Sequence, residues 1–151
     1  MKFIPKIFLI VIILLPAALS AETFPEIDID KLMIEKRSVV KETLQLTEKE
    51  SAVFWPLYDE VEAFQVNYFK RYASLLKDYM RERKNLHDDK ARAMIKVLVD
   101  LQTDELENKR KNIKIFSAKL SDKRVFQYLV LEERVYAGFF ALIAEALPPI
   151  K

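Results

Sequence analysis

Two pairs of carboxylates, one histidine in an acidic turn, and a run of cations threaded with aromatic rings are the residues whose types and spacing bear on chemistry. Glu105 and Glu107, like Glu132 and Glu133, are too close in sequence to share one face of a helix, so neither pair makes a facing acid and base. His87 lies in the stretch Asn85-Leu86-His87-Asp88-Asp89. With a single imidazole and no cysteine, a metal site there would be weak and unselective, and no metal is expected. There is no histidine-paired serine, no glycine-rich phosphate loop and no cysteine nucleophile, so neither catalysis nor a cofactor is expected.

The cations are a different case. Lys70, Arg71, Lys77, Arg81, Arg83, Lys84, Lys90, Arg92 and Lys96 are interleaved with Tyr68, Phe69, Tyr72 and Tyr79. Flexible cations beside aromatic faces can hold varied polypeptide segments without one fixed geometry. Tyr68, Phe69, Arg71, Tyr72, Tyr79, Arg81, Arg83 and Lys84 are therefore the candidate residues for binding a client; the competing reading is an ordinary solvated face.

The elements that must position these residues follow from composition. The chain has 151 residues, 51% of them hydrophobic, with one glycine, Gly138, and few prolines. That is one domain without the turn chemistry of a multi-stranded sheet, and it reads as all-α. Residues 1–21 read as a secretory signal peptide: Lys2 and Lys6, an apolar run from Ile7 to Leu15, then small residues up to Ala21. The run is shorter than the roughly 20 residues that span a bilayer. Cleavage is expected after Ser20 or Ala21, leaving residues 22–151 as a single helical domain outside the cytosol.

The mature chain would carry 23 basic and 23 acidic residues, so its overall charge does not point to nucleic acid. The charge is unevenly placed. Residues 22–68 hold 5 basic and 11 acidic residues, whereas residues 69–131 hold 16 basic and 9 acidic. Peripheral attachment of this basic arm to anionic lipid is the weakest of the binding modes considered.

Helix starts are legible along the chain. Asp28 caps a first helix over about residues 29–43, with Ile27 and Leu32 placed for a hydrophobic staple. Thr47 and Glu50 make a capping box that opens the longest helical pattern, with apolar residues at Phe54, Leu57, Val61, Phe64, Tyr68, Leu75 and Tyr79. A helix from Glu48 to Asn85 would be roughly 57 Å long, so an elongated molecule is expected. Pro56 should bend it, or else a short helix ends at Trp55 and a new one begins. Phe54, Trp55 and Tyr58 read as core aromatics that cannot all be buried, since they fall on more than one side of the helix.

The stretch around His87 is the hairpin turn, with Asp88 or Asp89 capping the third helix, whose apolar face is Met94, Val97, Leu98 and Leu101. Gln102 to Asn112 is polar apart from Leu106, and is either solvated or turned to a groove. Ser121 caps a fourth helix, with Leu120 and Val125 placed for a staple and an apolar face too large for one side of a hairpin; Pro148-Pro149 ends it.

Leu46-Thr47-x-x-Glu50 and Leu120-Ser121-x-x-Arg124, each opening a helix in a cysteine-free chain with a leader, resemble the paired LTxxQ motifs of the Spy/CpxP family of bacterial periplasmic proteins. The stretch Phe54 to Tyr58 is similar to that of secreted proteins grouped near that family. The resemblance covers about residues 28–146. It implies four helices built on a long bent antiparallel hairpin, often dimeric, and either ATP-independent binding of unfolded proteins or inhibition of an envelope stress sensor. The expectation is thus a periplasmic chaperone or stress adaptor, a homodimer binding clients through the hairpin. The alternative is a dedicated helical subunit docking on one envelope protein.

Overall fold

A computed structural model describes residues 26–147. The expected signal peptide, its cleavage site and Pro148-Pro149 lie outside the described residues. Four α-helices are present among the described residues: α1 Ile29–Leu44, α2 Glu48–Glu82, α3 Asp88–Ser117 and α4 Asp122–Ala146. A single 3-10 turn, Arg83–Asn85, closes the hairpin between α2 and α3. The fold is all-α, and no helix of the described residues is long and apolar enough to cross a membrane.

The helix starts follow local chemistry. Asp28 accepts from the Lys31 N–H at 2.9 Å. Thr47 Oγ1 accepts from the Glu50 N–H at 3.3 Å, while Glu50 Oε2 accepts from the Thr47 N–H at 2.9 Å, so each satisfies a donor the helix cannot. Ser121 accepts from the Arg124 N–H. The third start departs from expectation. The N-cap of α3 is His87, with no side-chain cap, and Asp88 and Asp89 fall inside the first turn, where their charge favours the positive end of the helix.

With 35 residues, α2 is about 52 Å long. It runs unbroken through Pro56, so the two-helix alternative is excluded. Pro56 is exposed and lies in the third turn, where the missing N–H frees only the Ala52 carbonyl.

Pairing α2 with α3 forms the hairpin, and α1 and α4 pack on its half away from the tip. The apolar core lies in two blocks. One contains Val40, Leu44, Phe54, Tyr58, Val61, Phe116, Val125, Tyr128 and Leu131, next to the two short connections. The other contains Ile29, Met33, Tyr68, Phe69, Leu101, Phe139 and Ile143. The large apolar face of α4 is covered within the chain: Phe139 lies against Phe69 at 4.1 Å between centroids with the rings tilted by 37°, and Tyr128 meets Phe54 edge-on at 5.3 Å.

Candidate functional site

The two short motifs, 74 residues apart in sequence, meet in space. Arg124 Nε donates to Glu50 Oε1 at 3.2 Å and Arg124 Nη1 donates to the Leu44 carbonyl at 2.8 Å. Leu44 ends α1, so Arg124 supplies a partner for one of the four carbonyls a helix C-terminus leaves open. Gln45 follows in the left-handed region, with φ at 45°. Glu50 therefore serves Thr47 and Arg124 together, and these bonds hold its carboxyl below the usual range, the backbone bond to Thr47 first. Leu46 and Leu120 pack against the adjacent core block. The motif residues are a structural joint that fixes two connections to each other.

Between the two apolar blocks lies a polar layer that sequence reading missed. Lys36 of α1, Gln65 of α2 and Glu132 of α4 are each only 3% exposed. Lys36 Nζ lies 2.8 Å from Glu132 Oε1 and donates to Gln65 Oε1; Gln65 Nε2 donates to Glu132 Oε2. One amide thus bridges the two charges, and three helices share one network. Burial lowers the lysine's pKa, and the opposing charge of Glu132 offsets that only in part. Lys36 Nζ also sits 4.9 Å from the centroid of the Tyr58 ring.

The polar stretch of α3 belongs to the same layer. Glu105, Asn108, Lys109 and Asn112 are half-buried and line the space between α2, α3 and α4, together with Gln65, Tyr128, Glu132 and Tyr136. The groove reading of that stretch therefore holds for these four residues, while Gln102 and Leu106 are exposed. Lys109 Nζ reaches across to Glu133 Oε1 at 2.8 Å and to Glu105 at 3.4 Å, 5.6 Å from the Tyr136 ring centroid. Burial acts to lower the pKa of Lys109, but the two carboxylates outweigh it and raise it.

Several phenols surround this layer. Tyr58, Tyr128 and Tyr136 are driven upward chiefly by burial, and Tyr68 is pushed up to about 12 for the same reason. Tyr58 Oη and Tyr128 Oη are buried without a hydrogen-bond partner, as is Glu62 Oε1. Tyr128 Oη faces the Glu132 carboxylate without reaching hydrogen-bond geometry.

The expected client surface is divided by the fold. Tyr68 and Phe69 are core residues, 4% and 0% exposed, and so present no surface; Tyr72 packs edge-on against Phe140 at 5.1 Å. The heptad seam that places them on α2 is the seam that α4 covers. Arg71, Tyr79, Arg81 and Lys84 are exposed and Arg83 is half-buried. Arg71 pairs with Asp104 at 3.4 Å, and Arg81 pairs with Asp78 at 2.7 Å and Glu82 at 3.3 Å, so the basic arm is partly neutralised by its own acids. Trp55 is half-buried beneath the Arg37 guanidinium at 4.8 Å, whereas Phe54 and Tyr58 are buried, as their differing faces required.

The exposed apolar groups lie elsewhere. Ile95, Val99 and Leu106 are 61%, 53% and 45% exposed and follow one line along α3 at spacings of four and seven. Val97, expected in the packed face, is 39% exposed, whereas Met94 and Leu98 are half-buried and Leu101 is buried. On α4, Phe126 and Val130 are also exposed.

Glu132 and Glu133 point one inward and one outward, so no facing carboxylate pair forms there. Among the described residues, no group of three or more histidine, cysteine, aspartate or glutamate side chains is placed to hold a metal ion. No family model, no curated protein and no solved structure matches this chain.

Proposed function

We propose that this protein is an ATP-independent chaperone or stress adaptor of the bacterial periplasm, exported by a cleaved leader, acting as a homodimer and binding unfolded polypeptide without catalysis. The observation that carries this reading is the unpartnered stripe Ile95, Val99 and Leu106 on a helical hairpin, flanked by the exposed cations Arg92 and Lys96 and, across the tip, Arg81 and Lys84. Apolar side chains beside exposed cations, of which Arg81 and Lys96 are paired with Asp78, Glu82 and Asp100, suit transient capture of varied sequences. The paired motif starts resembling those of Spy/CpxP proteins support the same reading.

The test is light scattering from two unrelated denatured proteins with and without the mature chain. Suppression at near-stoichiometric ratios is expected, and Ile95→Asp with Val99→Asp should reduce it severalfold. A mature chain that leaves both aggregation curves unchanged would refute the reading.

A second reading rests on the linearity of the same stripe. Residues at helical spacing on one exposed face are what a single partner helix recognises, as in a dedicated subunit of one envelope protein. That alternative predicts one saturable partner and no suppression of unrelated aggregates.

A further inference from the structure

Very little chain joins α1 to the rest of the fold. Only Gln45, Leu46 and Thr47 separate Leu44, the last residue of α1, from Glu48, the first of α2. Gln45 turns the chain there with φ at 45° and ψ at 52°, and no other residue among those described has a positive φ. Glycine sits in that left-handed conformation without strain and a glutamine does not, so an extended hinge would release strain that the closed turn holds.

The ring contacts that tie the other three helices together leave α1 out. Phe69 meets Phe139 at 4.1 Å between centroids, and Phe54 meets Tyr128 at 5.3 Å and Phe116 at 5.5 Å, all within α2, α3 and α4. The helix α1 has no aromatic residue. It lays Ile29, Met33, Lys36, Val40 and Leu44 into a trough formed by α2 and α4.

That trough accepts one kind of helix. Its two halves are apolar, and its middle holds the Glu132 carboxylate and the Gln65 amide, each 3% exposed. Glu132 without a cation would be a buried charge left uncompensated, so an occupant needs a cation at its centre and apolar residues a turn or two to either side. Lys36 has Met33 and Val40 one turn away and Ile29 and Leu44 two turns away. At the rim, Asp30 pairs with Lys70 at 2.9 Å and Arg37 with Asp59 at 2.6 Å. Every copy of this chain carries a helix with that pattern and that rim.

We propose that two copies of this chain exchange α1, each seating its α1 in the other's α2–α4 trough, with residues 45–47 as the hinge. The contacts of α1 are then remade between the copies, and the difference lies in the hinge, where Gln45 leaves the left-handed region. Three extended residues span about 10 Å, so the copies meet at the connection end of their bundles, and Ile95 and Val99, toward the hairpin tip, stay uncovered. This rests on the homodimer of the reading above and names the element that joins the copies.

The test unfolds isotopically light and heavy mature chains together in urea, in equal amounts, refolds them and isolates the dimer by size. A carbodiimide, which joins a carboxylate to an amine in contact with it, then links Asp30 to Lys70, and mass spectrometry reads the labels of the linked peptides. About half of the Asp30–Lys70 links should pair a light chain with a heavy one, the random share when every dimer is exchanged. A dimer whose Asp30–Lys70 links all stay within one label would overturn the exchange and leave the homodimer standing. A chain that remains monomeric up to millimolar concentration would overturn both.

The hinge supplies an independent readout by analytical ultracentrifugation. Gln45→Gly relieves the closed turn, so the dissociation constant of the dimer should rise about tenfold or more, whereas Gln45→Val, branched and ill-suited to positive φ, should lower it severalfold. Equal dissociation constants for the natural chain and Gln45→Gly would also overturn the exchange.

Discussion

Replacing Lys36 with methionine removes the only cation in the buried Lys36–Gln65–Glu132 network and keeps most of the side-chain volume. Glu132 is then left as a carboxylate 3% exposed, and the Gln65 carbonyl loses its donor. Breaking a buried pair from one side costs about 3–5 kcal/mol, because the remaining charge keeps its desolvation penalty without compensation. A domain of this size has roughly 5–15 kcal/mol in total, so the variant should lose about a fifth or more of its stability or fail to fold. Glu132→Leu should behave alike, leaving Lys36 uncompensated.

The triple change Lys36→Met, Gln65→Leu, Glu132→Leu joins the two apolar blocks. It should be near neutral, or up to about 1–4 kcal/mol more stable than the natural chain. Urea unfolding followed by helical circular dichroism reads these three variants and the double Lys36→Met, Glu132→Leu, and the slope reports whether the unfolded state has changed. The decisive quantity is the non-additivity of Lys36→Met with Glu132→Leu. The reasoning fails if each single change costs less than about 1 kcal/mol, or if the double costs the sum of the singles, since either result means the two groups are not buried against each other.

Three further outcomes follow from the packing. Arg124→Ala frees the Leu44 carbonyl and the Glu50 carboxylate; with the joint partly open to water, a loss of about 1–2 kcal/mol is expected, read from the urea midpoint, and a loss under about 0.3 would dismiss the joint. Phe69→Ala should cost about 3–5 kcal/mol while Ile95→Ala changes stability by no more than about 0.5, and equal effects would mean that the burial of Tyr68 and Phe69 is misplaced. Alkaline pH should unfold the protein. The phenols of Tyr58, Tyr68, Tyr128 and Tyr136 are raised in the fold and titrate near 10 when unfolded, so the stability they lend is complete below about pH 10 and declines above it by up to about 1.4 kcal/mol per pH unit for each phenol. Lys36, lowered in the fold, acts with the opposite sign, its penalty easing as pH rises toward its unfolded value. Tyr128→Phe should flatten the alkaline loss, measured as unfolding midpoint from pH 8 to 12.

What the sequence determined by itself was whatever depends on neighbours within a few residues. Asp28, Thr47 with Glu50, and Ser121 start helices because a side-chain oxygen three residues before an open N–H is a local fact. The long pattern of α2 and the hairpin turn were legible for the same reason. His87 in place of an aspartate as the third cap shows the limit of that local reading, since two acids in a first turn satisfy the helix dipole without capping it.

Only the tertiary structure decided which polar residues would be buried and which aromatics hidden. Lys36 sits among Glu35, Arg37 and Ser38 and reads as one cation on a solvated face; its burial depends on Gln65 and Glu132, 29 residues away and on a third helix respectively. Tyr68 and Phe69 look like part of a basic and aromatic surface until α4 lays Tyr136 and Phe139 over them. Arg124 finds Glu50 and the end of α1 only because two connections close at the same end of the bundle. Capping and periodicity are set by bonds within one or two turns, whereas burial of a charge is set by whichever partners distant helices bring to it, and nothing local records that choice.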